Sequence, residues 1–252
     1  MDLGLHGKRA LVTGASSGLG LACAQALAAE GVAVAIAARS AERLAAAAAT
    51  IDTSSSGQPV TQIVADVSSP EAVTAMVADA EAALGGIDIL IANAGGPPPG
   101  RFADTDVAAY EPALRLNLLS TVAMCKATVP AMQARGWGRV VAITSTSVRE
   151  PIEFLILSNT ARAGLTGFLK TLAREVAGDG VTVNSVQPGL HDTDRLRALT
   201  GQNLDRAAGV PAGRLGDPAD FGRITAFVCS DAAKFLTGAS IPVDGGALRG
   251  LQ

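Results

Sequence analysis

The sequence alternates short, almost wholly apolar runs with longer segments of helical spacing. The apolar runs are rich in small or β-branched residues: ALVTG, VAVAIAA, TQIVADV, IDILIANA, GRVVAITS, TVNSVQPG and SIPVDGG. The segments between them, such as GLACAQALAAE and PEAVTAMVADAEAAL, repeat their apolar residues with a helical period. Strands that are apolar on both faces belong in a parallel sheet covered by helices on both sides. The alternation therefore predicts an α/β fold with a doubly wound parallel sheet of about seven strands.

Composition and charge limit the kinds of partner. Because no Pro/Gly/Ser-rich linker divides the 252 residues, we expect one domain over 1–252. The net charge of −3 gives no basic field for nucleic acid, no apolar run is long enough to cross a bilayer, and the start MDLGLHGKRALVTG lacks a signal-peptide layout. These features predict a cytoplasmic protein that acts on a small-molecule substrate and binds neither nucleic acid nor membrane.

The cysteines favour a reducing compartment. Cys23, Cys125 and Cys229 are far apart and lie mostly in apolar helical patterns. That placement predicts buried thiols rather than disulfides or a metal site.

A glycine-rich turn, TGASSGLG at 13–20, follows the first predicted strand and opens a helix. Its glycines have the spacing G-x-x-x-G-x-G, a variant of the dinucleotide fingerprint in which missing side chains let backbone N–H groups approach a pyrophosphate. A purely structural turn is the other interpretation of such a segment taken alone. The strand-turn-helix context favours a Rossmann-type dinucleotide site, whose candidate residues here are Gly14, Ser16, Ser17, Gly18, Leu19 and Gly20.

The end of the second predicted strand, VAIAARS, bears on the choice of cofactor. Ala38 stands where an acidic residue would bind the ribose 2′-hydroxyl of NAD, and Arg39 follows it. An arginine there can pair with a 2′-phosphate, and the missing carboxylate removes a repulsion that this phosphate would meet. A solvated arginine at a strand end is the alternative. The sequence therefore favours NADP(H) over NAD(H), with Arg39 as a binding residue.

Ordered motifs along almost the entire chain resemble the short-chain dehydrogenase/reductase family. They are TGASSGLG, ADV at 65–67, NAG at 93–95, Asn117 in LRLNLLS, Ser145 in VVAITS, VNSVQPG at 183–189 and VDGG at 243–246. The resemblance implies that Asp66 and Val67 flank the adenine. It also implies that Asn93, Ala94 and Gly95 support the central strand beside the cofactor. Pro188, Gly189 and Thr193 would line the nicotinamide side, and Asn117 and Ser145 would belong to the catalytic group.

The chain departs from the family pattern at the centre of that group. Members of the family place a catalytic tyrosine thirteen residues after the serine and a lysine four further on; here these positions are Ser158 and Arg162. An aliphatic hydroxyl is a much weaker acid than a phenol, whose pKa is about 10, so Ser158 can hold a substrate but is poorly suited to exchange its proton. Arg162 can donate to ribose hydroxyls, but it stays protonated and cannot relay protons as lysine can.

The proton donor that replaces the tyrosine is left open by the sequence. The only tyrosine, Tyr110, is about two helical turns before Asn117, and packing is the simpler interpretation of it. Glu150 and Glu153 in VREPIEF, His191 and Asp192 after the PG turn, and water are the other candidates. Each of these side chains has solvation as its alternative interpretation.

Three functions remain compatible with the sequence. The first is an NADP(H)-dependent oxidoreductase of carbonyl or alcohol substrates with Ser145, Ser158, Arg162 and Asn117 at its centre. The second is a catalytically silent dinucleotide-binding protein, and the third is a non-redox activity in the same pocket. The resemblance further implies a homotetramer, with a dimer as the alternative, and a lid over about 190–212 whose composition does not identify a substrate.

Overall fold

The computed structural model describes residues 2–54, 59–200 and 209–251. The strands are β1 (Arg9–Thr13), β2 (Ala33–Ala38), β3 (Thr61–Val64), β4 (Ile89–Ala92), β5 (Gly138–Ile143), β6 (Val181–Pro188) and β7 (Ser240–Val243). The α-helices are α1 (Gly18–Ala29), α2 (Ala41–Ser54), α3 (Pro70–Leu84), α4 (Tyr110–Leu114), α5 (Ser120–Ala134), α6 (Ile156–Val176), α7 (Asp194–Thr200) and α8 (Pro218–Cys229).

The seven strands form one parallel sheet in the order β3-β2-β1-β4-β5-β6-β7. Adjacent residues of β1 pack on opposite faces of the sheet, which explains why the strand sequences are continuous apolar runs. Leu11 belongs to the buried cluster that also holds Met76 of α3 and Leu165 of α6, whereas Val12 belongs to the cluster that holds Leu27 of α1 and Phe221 of α8. Since side chains alternate along a strand, a sheet covered on both faces has apolar residues at consecutive strand positions. The predicted Rossmann-type doubly wound sheet is confirmed.

The environment of the cysteines and the apolar character of the helices can be compared with the sequence predictions. Cys23, Cys125 and Cys229 are buried free thiols, as expected, and burial raises the pKa of Cys23 and Cys125 to about 12. None of the helices in the described part of the chain is both long and apolar enough to cross a membrane.

The sheet reverses its winding direction between β1 and β4, and side chains join the two strands there. The hydroxyl of Thr13 accepts a hydrogen bond from the backbone N–H of Asn93 (2.9 Å) and donates to the carbonyl of Asn93 (2.8 Å). The side-chain amide of Asn93 donates to the carbonyl of Gly14 at 3.2 Å. In open α/β sheets ligands bind at such a switch point, beyond the carboxyl ends of the strands.

Helices α1 and α8 approach closely on one face of the sheet because Gly222 has no side chain. A Cβ at this position would meet the backbone of Ala22, 2.7 Å from its carbonyl carbon, and would lie 3.3 Å from the amide nitrogen of Cys23. Backbone atoms inside a helix cannot move aside singly, so an added methyl must separate the two helices.

We expect Gly222→Ala to lower the free energy of unfolding by about 1–3 kcal/mol, the usual cost of overpacking. Gly167→Ala is the matched control, since Gly167 lies on the exposed side of α6 and a Cβ there meets nothing within 4 Å. The control should raise the free energy of unfolding by about 0.5–1 kcal/mol through helix propensity. Urea denaturation measures both changes, and equal stability of the two variants would contradict the close α1–α8 contact.

Candidate active site

A cavity of about 500 Å³ opens beyond the carboxyl ends of β1, β4, β5 and β6. Its walls come from the turns that follow these strands and from the start of α6 and α7. The sequence-predicted residues on its lining are Gly14, Ser17, Gly18, Leu19, Asn93, Ala94, Gly95, Ser145, Ser158, Arg162, Pro188, Gly189 and Thr193. The predicted residues outside the described lining are Ser16, Gly20, Arg39, Asp66, Val67 and Asn117. The fold thus brings the distant motifs to one place.

The glycine-rich turn is packed tightly against β4. A Cβ on Gly14 would lie 2.9 Å from the carbonyl oxygen of Asn93, and a Cβ on Gly20 would lie 2.7 Å from its side-chain nitrogen. Gly14 has φ +59°, in the left-handed region that disfavours other residues. These two glycines therefore set the position of the turn rather than opening space for a ligand.

Gly18 and the start of α1 fit a dinucleotide pyrophosphate. Gly18 has φ +57°, and a Cβ on it would point towards Thr193, 3.6 Å from its methyl group, where both residues line the cavity. Ser17 precedes α1 but makes no capping hydrogen bond with its side chain, unlike Ser69 before α3 and Asp217 before α8. The first N–H groups of α1 therefore stay free of a side-chain cap and can receive an anion.

The predicted adenine side lies outside this cavity. Arg39 is exposed directly after β2, and Asp66 is exposed after β3, the neighbouring strand. The backbone amide and hydroxyl of Ser68 donate to the Asp66 carboxylate at 3.0 and 2.8 Å, and these bonds, with a smaller effect of the Arg39 charge, lower the pKa of Asp66. A cation and a fixed carboxylate thus border the edge where the sequence places the adenosine.

Ser158 and Arg162 share one face of α6, one helical turn apart, and both are buried against the cavity. Nη1 of Arg162 donates to the carbonyls of Ile143 (2.9 Å) and Thr144 (3.0 Å), and its Nε lies 3.3 Å from the hydroxyl of Ser158. Burial, with a further contribution from the like charge of Arg195, lowers the pKa of Arg162 to about 10. The guanidinium therefore remains charged at neutral pH and is fixed at the end of β5.

Ser145 and Asn117 complete the predicted group from two sides. The hydroxyl oxygen of Ser145 accepts a hydrogen bond from the amide of Ser147 at 3.0 Å. Asn117 lies in a π-helical segment, Arg115–Leu119, and donates from Nδ2 to the carbonyl of Gly95 at 2.8 Å. Its Oδ1 has no partner among the described residues. Asn117 is thus positioned behind the cavity wall, where its free acceptor can bind a water.

The candidate proton donors Glu150, Glu153 and Tyr110 do not face the Ser158 hydroxyl. Glu150 lines the cavity, but its carboxylate accepts from the amides of Arg249 (2.7 Å) and Gly250 (3.2 Å). Glu153 is exposed and pairs with Arg101 at 3.2 Å. Neither carboxylate points at Ser158 in these contacts. Tyr110 begins α4, is half-buried and is not among the described lining residues.

His191 is buried on the cavity lining, whereas Asp192 is exposed and pairs with Arg197 at 2.7 Å. Nδ1 of His191 lies 3.2 Å from the carbonyl of Gly189, so it carries the proton in this contact. Burial is the main reason why the pKa of His191 is lowered, and the imidazole packs edge-on against Phe221. A neutral, packed imidazole is a poor source of protons at neutral pH.

Some lining residues were not singled out by the sequence. Arg195 of α7 reaches across to the carbonyl of Pro97 at 3.0 Å, and Ala247 and Leu248 bring the C-terminal segment onto the cavity. Within the predicted lid, the residues that border the cavity are Leu190, His191, Thr193, Asp194, Arg195, Leu196 and Leu199, while 201–208 lie outside the described residues. The only feature of the sequence that could have indicated these lining residues was the mixture of charged and apolar residues in the lid segment.

The chain was compared with protein-family models, curated proteins and solved structures. Residues 14–247 match a family model described as enoyl-(acyl carrier protein) reductase. The chain is 36% identical over 245 residues to 3-oxoacyl-(acyl-carrier-protein) reductase FabG of Escherichia coli (strain K12), covering 97% of this chain and 98% of that protein. It is 35% identical over 249 residues to dehydrogenase/reductase SDR family member 4 of Sus scrofa, covering 96% and 88%.

A solved structure is similar over the full length. L-sorbose reductase from Gluconobacter frateurii, complexed with NADPH and L-sorbose, superposes with a TM-score of 0.93 at 32% identity and covers 100% of both chains. The region that the family model matches begins at Gly14 in the glycine-rich turn. The chain belongs to the short-chain dehydrogenase/reductase family of oxidoreductases.

Proposed function

We propose that the protein is an NADP(H)-dependent oxidoreductase of small carbonyl or alcohol compounds, with Ser158 and Arg162 at the positions of the family's tyrosine and lysine. The observation that carries the proposal is that both side chains face the cavity that the glycine-rich turn also lines. Their spacing of one helical turn keeps them adjacent, with 3.3 Å between Nε of Arg162 and Oγ of Ser158. Cofactor and substrate can therefore meet at this pair.

The cofactor preference rests on the end of β2. Ala38 offers no carboxylate to a ribose, and the guanidinium of Arg39 is exposed beside it. The NADPH in the structure of L-sorbose reductase supports the same preference. Gly18 and the uncapped first turn of α1 would hold the pyrophosphate, and Thr193 and Gly189 would border the nicotinamide.

The chain's own residues position a carbonyl and stabilise charge on its oxygen. NADPH supplies a hydride when it is bound, and the carbonyl oxygen gains negative charge in that reaction. The hydroxyls of Ser145 and Ser158 can donate to this oxygen, and the fixed charge of Arg162 polarises Ser158. Serine keeps its proton, so water delivers the proton that completes the alcohol. Reduction should therefore be slow, because losing a positioned general acid costs about 100- to 10,000-fold.

A silent dinucleotide-binding protein is the second candidate. It is favoured by the contacts of Arg162, whose Nη1 donates to the carbonyls of Ile143 and Thr144, and by the carboxylate of Glu150, which holds the C-terminal segment. Assaying a panel of ketones and aldehydes with NADPH, alongside NADPH binding, separates the two candidates. Binding without oxidation of NADPH by any carbonyl would reject the oxidoreductase.

The first prediction of this function concerns Arg39. We expect Arg39→Ala to weaken NADPH binding by about 1.5–3 kcal/mol, because a charge-assisted contact to the 2′-phosphate is lost. NADH has no such phosphate, so its affinity is the internal control and should not change. Titrations that follow nicotinamide fluorescence measure both. If the variant weakens NADPH and NADH equally, Arg39 acts on the fold of this edge instead of on the phosphate.

The second prediction concerns Ser158 and Arg162 together. The double variant Ser158→Tyr with Arg162→Lys should raise NADPH-dependent ketone reduction, because it supplies a phenol whose pKa the ammonium can lower. Each single variant should gain less, since groups that act as a unit are strongly non-additive. The regained activity should decline towards high pH as the phenol ionises. Steady-state rates over a pH series test this. A double variant that folds and binds NADPH without any gain would count against the oxidoreductase.

A further inference from the structure

Two arginines line the cavity, and neither forms an ion pair with a carboxylate within the described ranges. Arg162 is 8% exposed and lies on α6, whereas Arg195 is an exposed residue of α7 that reaches over the cavity. The ion pairs among the described residues use other arginines. A guanidinium without a counter-ion attracts anions most strongly where little water screens it.

Arg195 is held in place over the opening. Its Nη2 donates to the carbonyl of Pro97 at 3.0 Å. The guanidinium lies against Gly96, where a Cβ would be only 2.8 Å from Nη2. Its Nε and Nη1 donate to none of the described residues, so these N–H groups remain available to a ligand. The missing side chain of Gly96 makes room for this arrangement.

The acidic side chains on the described lining do not neutralise the two cations. They are Glu150 and Asp194. Glu150 accepts from the amides of Arg249 and Gly250, and Asp194 is exposed and pairs with Arg197 on its own helix at 3.5 Å. The like charges of Arg162 and Arg195 also repel each other. An anion placed near both would relieve this repulsion.

The rest of the substrate side is apolar. Ile152, Leu155, Leu190, Leu196, Leu199 and Leu248 contribute to the lining. Such a wall favours a ligand with an apolar body, whose contact surface it removes from water. The cavity thus combines an apolar wall with two cationic groups.

We infer that the substrate is an apolar 2-oxo acid, whose carboxylate is bound by Arg162 and Arg195 while Ser158 holds its carbonyl oxygen. This inference rests on the proposed function, because it names the substrate class of that site. Nε of Arg162 donates to Oγ of Ser158 at 3.3 Å and Nη1 donates to two carbonyls. The carboxylate therefore falls to Nη2, whose contact with the carbonyl of Ala94 is long, at 3.5 Å. A group bonded to the carbonyl carbon then lies within reach of the guanidinium.

The test compares 4-methyl-2-oxopentanoate with its methyl ester, which has the same apolar body and no charge. We expect kcat/KM with NADPH to favour the acid by at least about tenfold, the effect of one charge-assisted contact. Arg195→Gln should lower the acid-to-ester ratio by about tenfold, because one of the two cationic contacts to the carboxylate is lost. Arg174→Gln is the control, since Arg174 is an exposed arginine in the last turn of α6 and is absent from the described lining. It should leave the ratio unchanged.

Calorimetric titration of the acid into the protein with NADPH provides a second measurement that does not need turnover. Binding of the acid that Arg195→Gln weakens and Arg174→Gln preserves supports the carboxylate site even if no carbonyl is reduced, in which case the proposed function fails alone. The inference is overturned if the acid does not bind, if the ester is preferred or equal, or if both variants lose the preference. It is also overturned if Arg195→Gln weakens only NADPH, because Arg195 then serves the cofactor phosphates.

Discussion

The close contact between the glycine-rich turn and the end of β4 determines where this protein can bind anything. Thr13 and Asn93 exchange hydrogen bonds of 2.8 and 2.9 Å between the two central strands, and the turn rests on the side chain of Asn93. A methyl group on Gly14 or Gly20 would collide with that residue. Because the turn is fixed there, the start of α1 faces the space that opens where the winding of the sheet reverses. The start of α1 and the α6 side chains Ser158 and Arg162 therefore meet at one cavity.

The fixed turn also decides which parts of the site the sequence could predict. The almost wholly apolar strand runs predicted the doubly wound sheet, and Leu11 and Val12 of one strand do enter opposite cores. Local spacing predicted the turn, and the i, i+4 spacing predicted that Ser158 and Arg162 share a face of α6. These features depend on neighbouring residues, whose geometry a helix or strand already defines.

Contacts between residues far apart in the chain could not be predicted from the sequence. Arg195 contacts Pro97, 98 residues earlier, and Glu150 contacts the amide of Arg249, 99 residues later. Nothing in the local pattern around Glu150 shows that its carboxylate binds a backbone amide instead of facing a substrate. Glu153, three residues away, instead lies on the surface with Arg101. Such choices depend on which groups the finished fold brings together, and a charged loop residue carries no signal of its final partner.

The arginine on α6 changes what the site can do with charge. Its guanidinium is planar and donates to two neighbouring carbonyls at the end of β5, at 2.9 and 3.0 Å, so it cannot swing as a flexible ammonium can. Burial lowers its pKa to about 10, yet it remains protonated at neutral pH. The carbonyl dipoles partly compensate the buried charge, which is why the fold tolerates it without a carboxylate. Arg162 therefore supplies a permanent, fixed field and no mobile proton. In the proposed function, the same guanidinium would stabilise negative charge both on a substrate carboxylate and on the reacting oxygen, so binding and chemistry would depend on one residue.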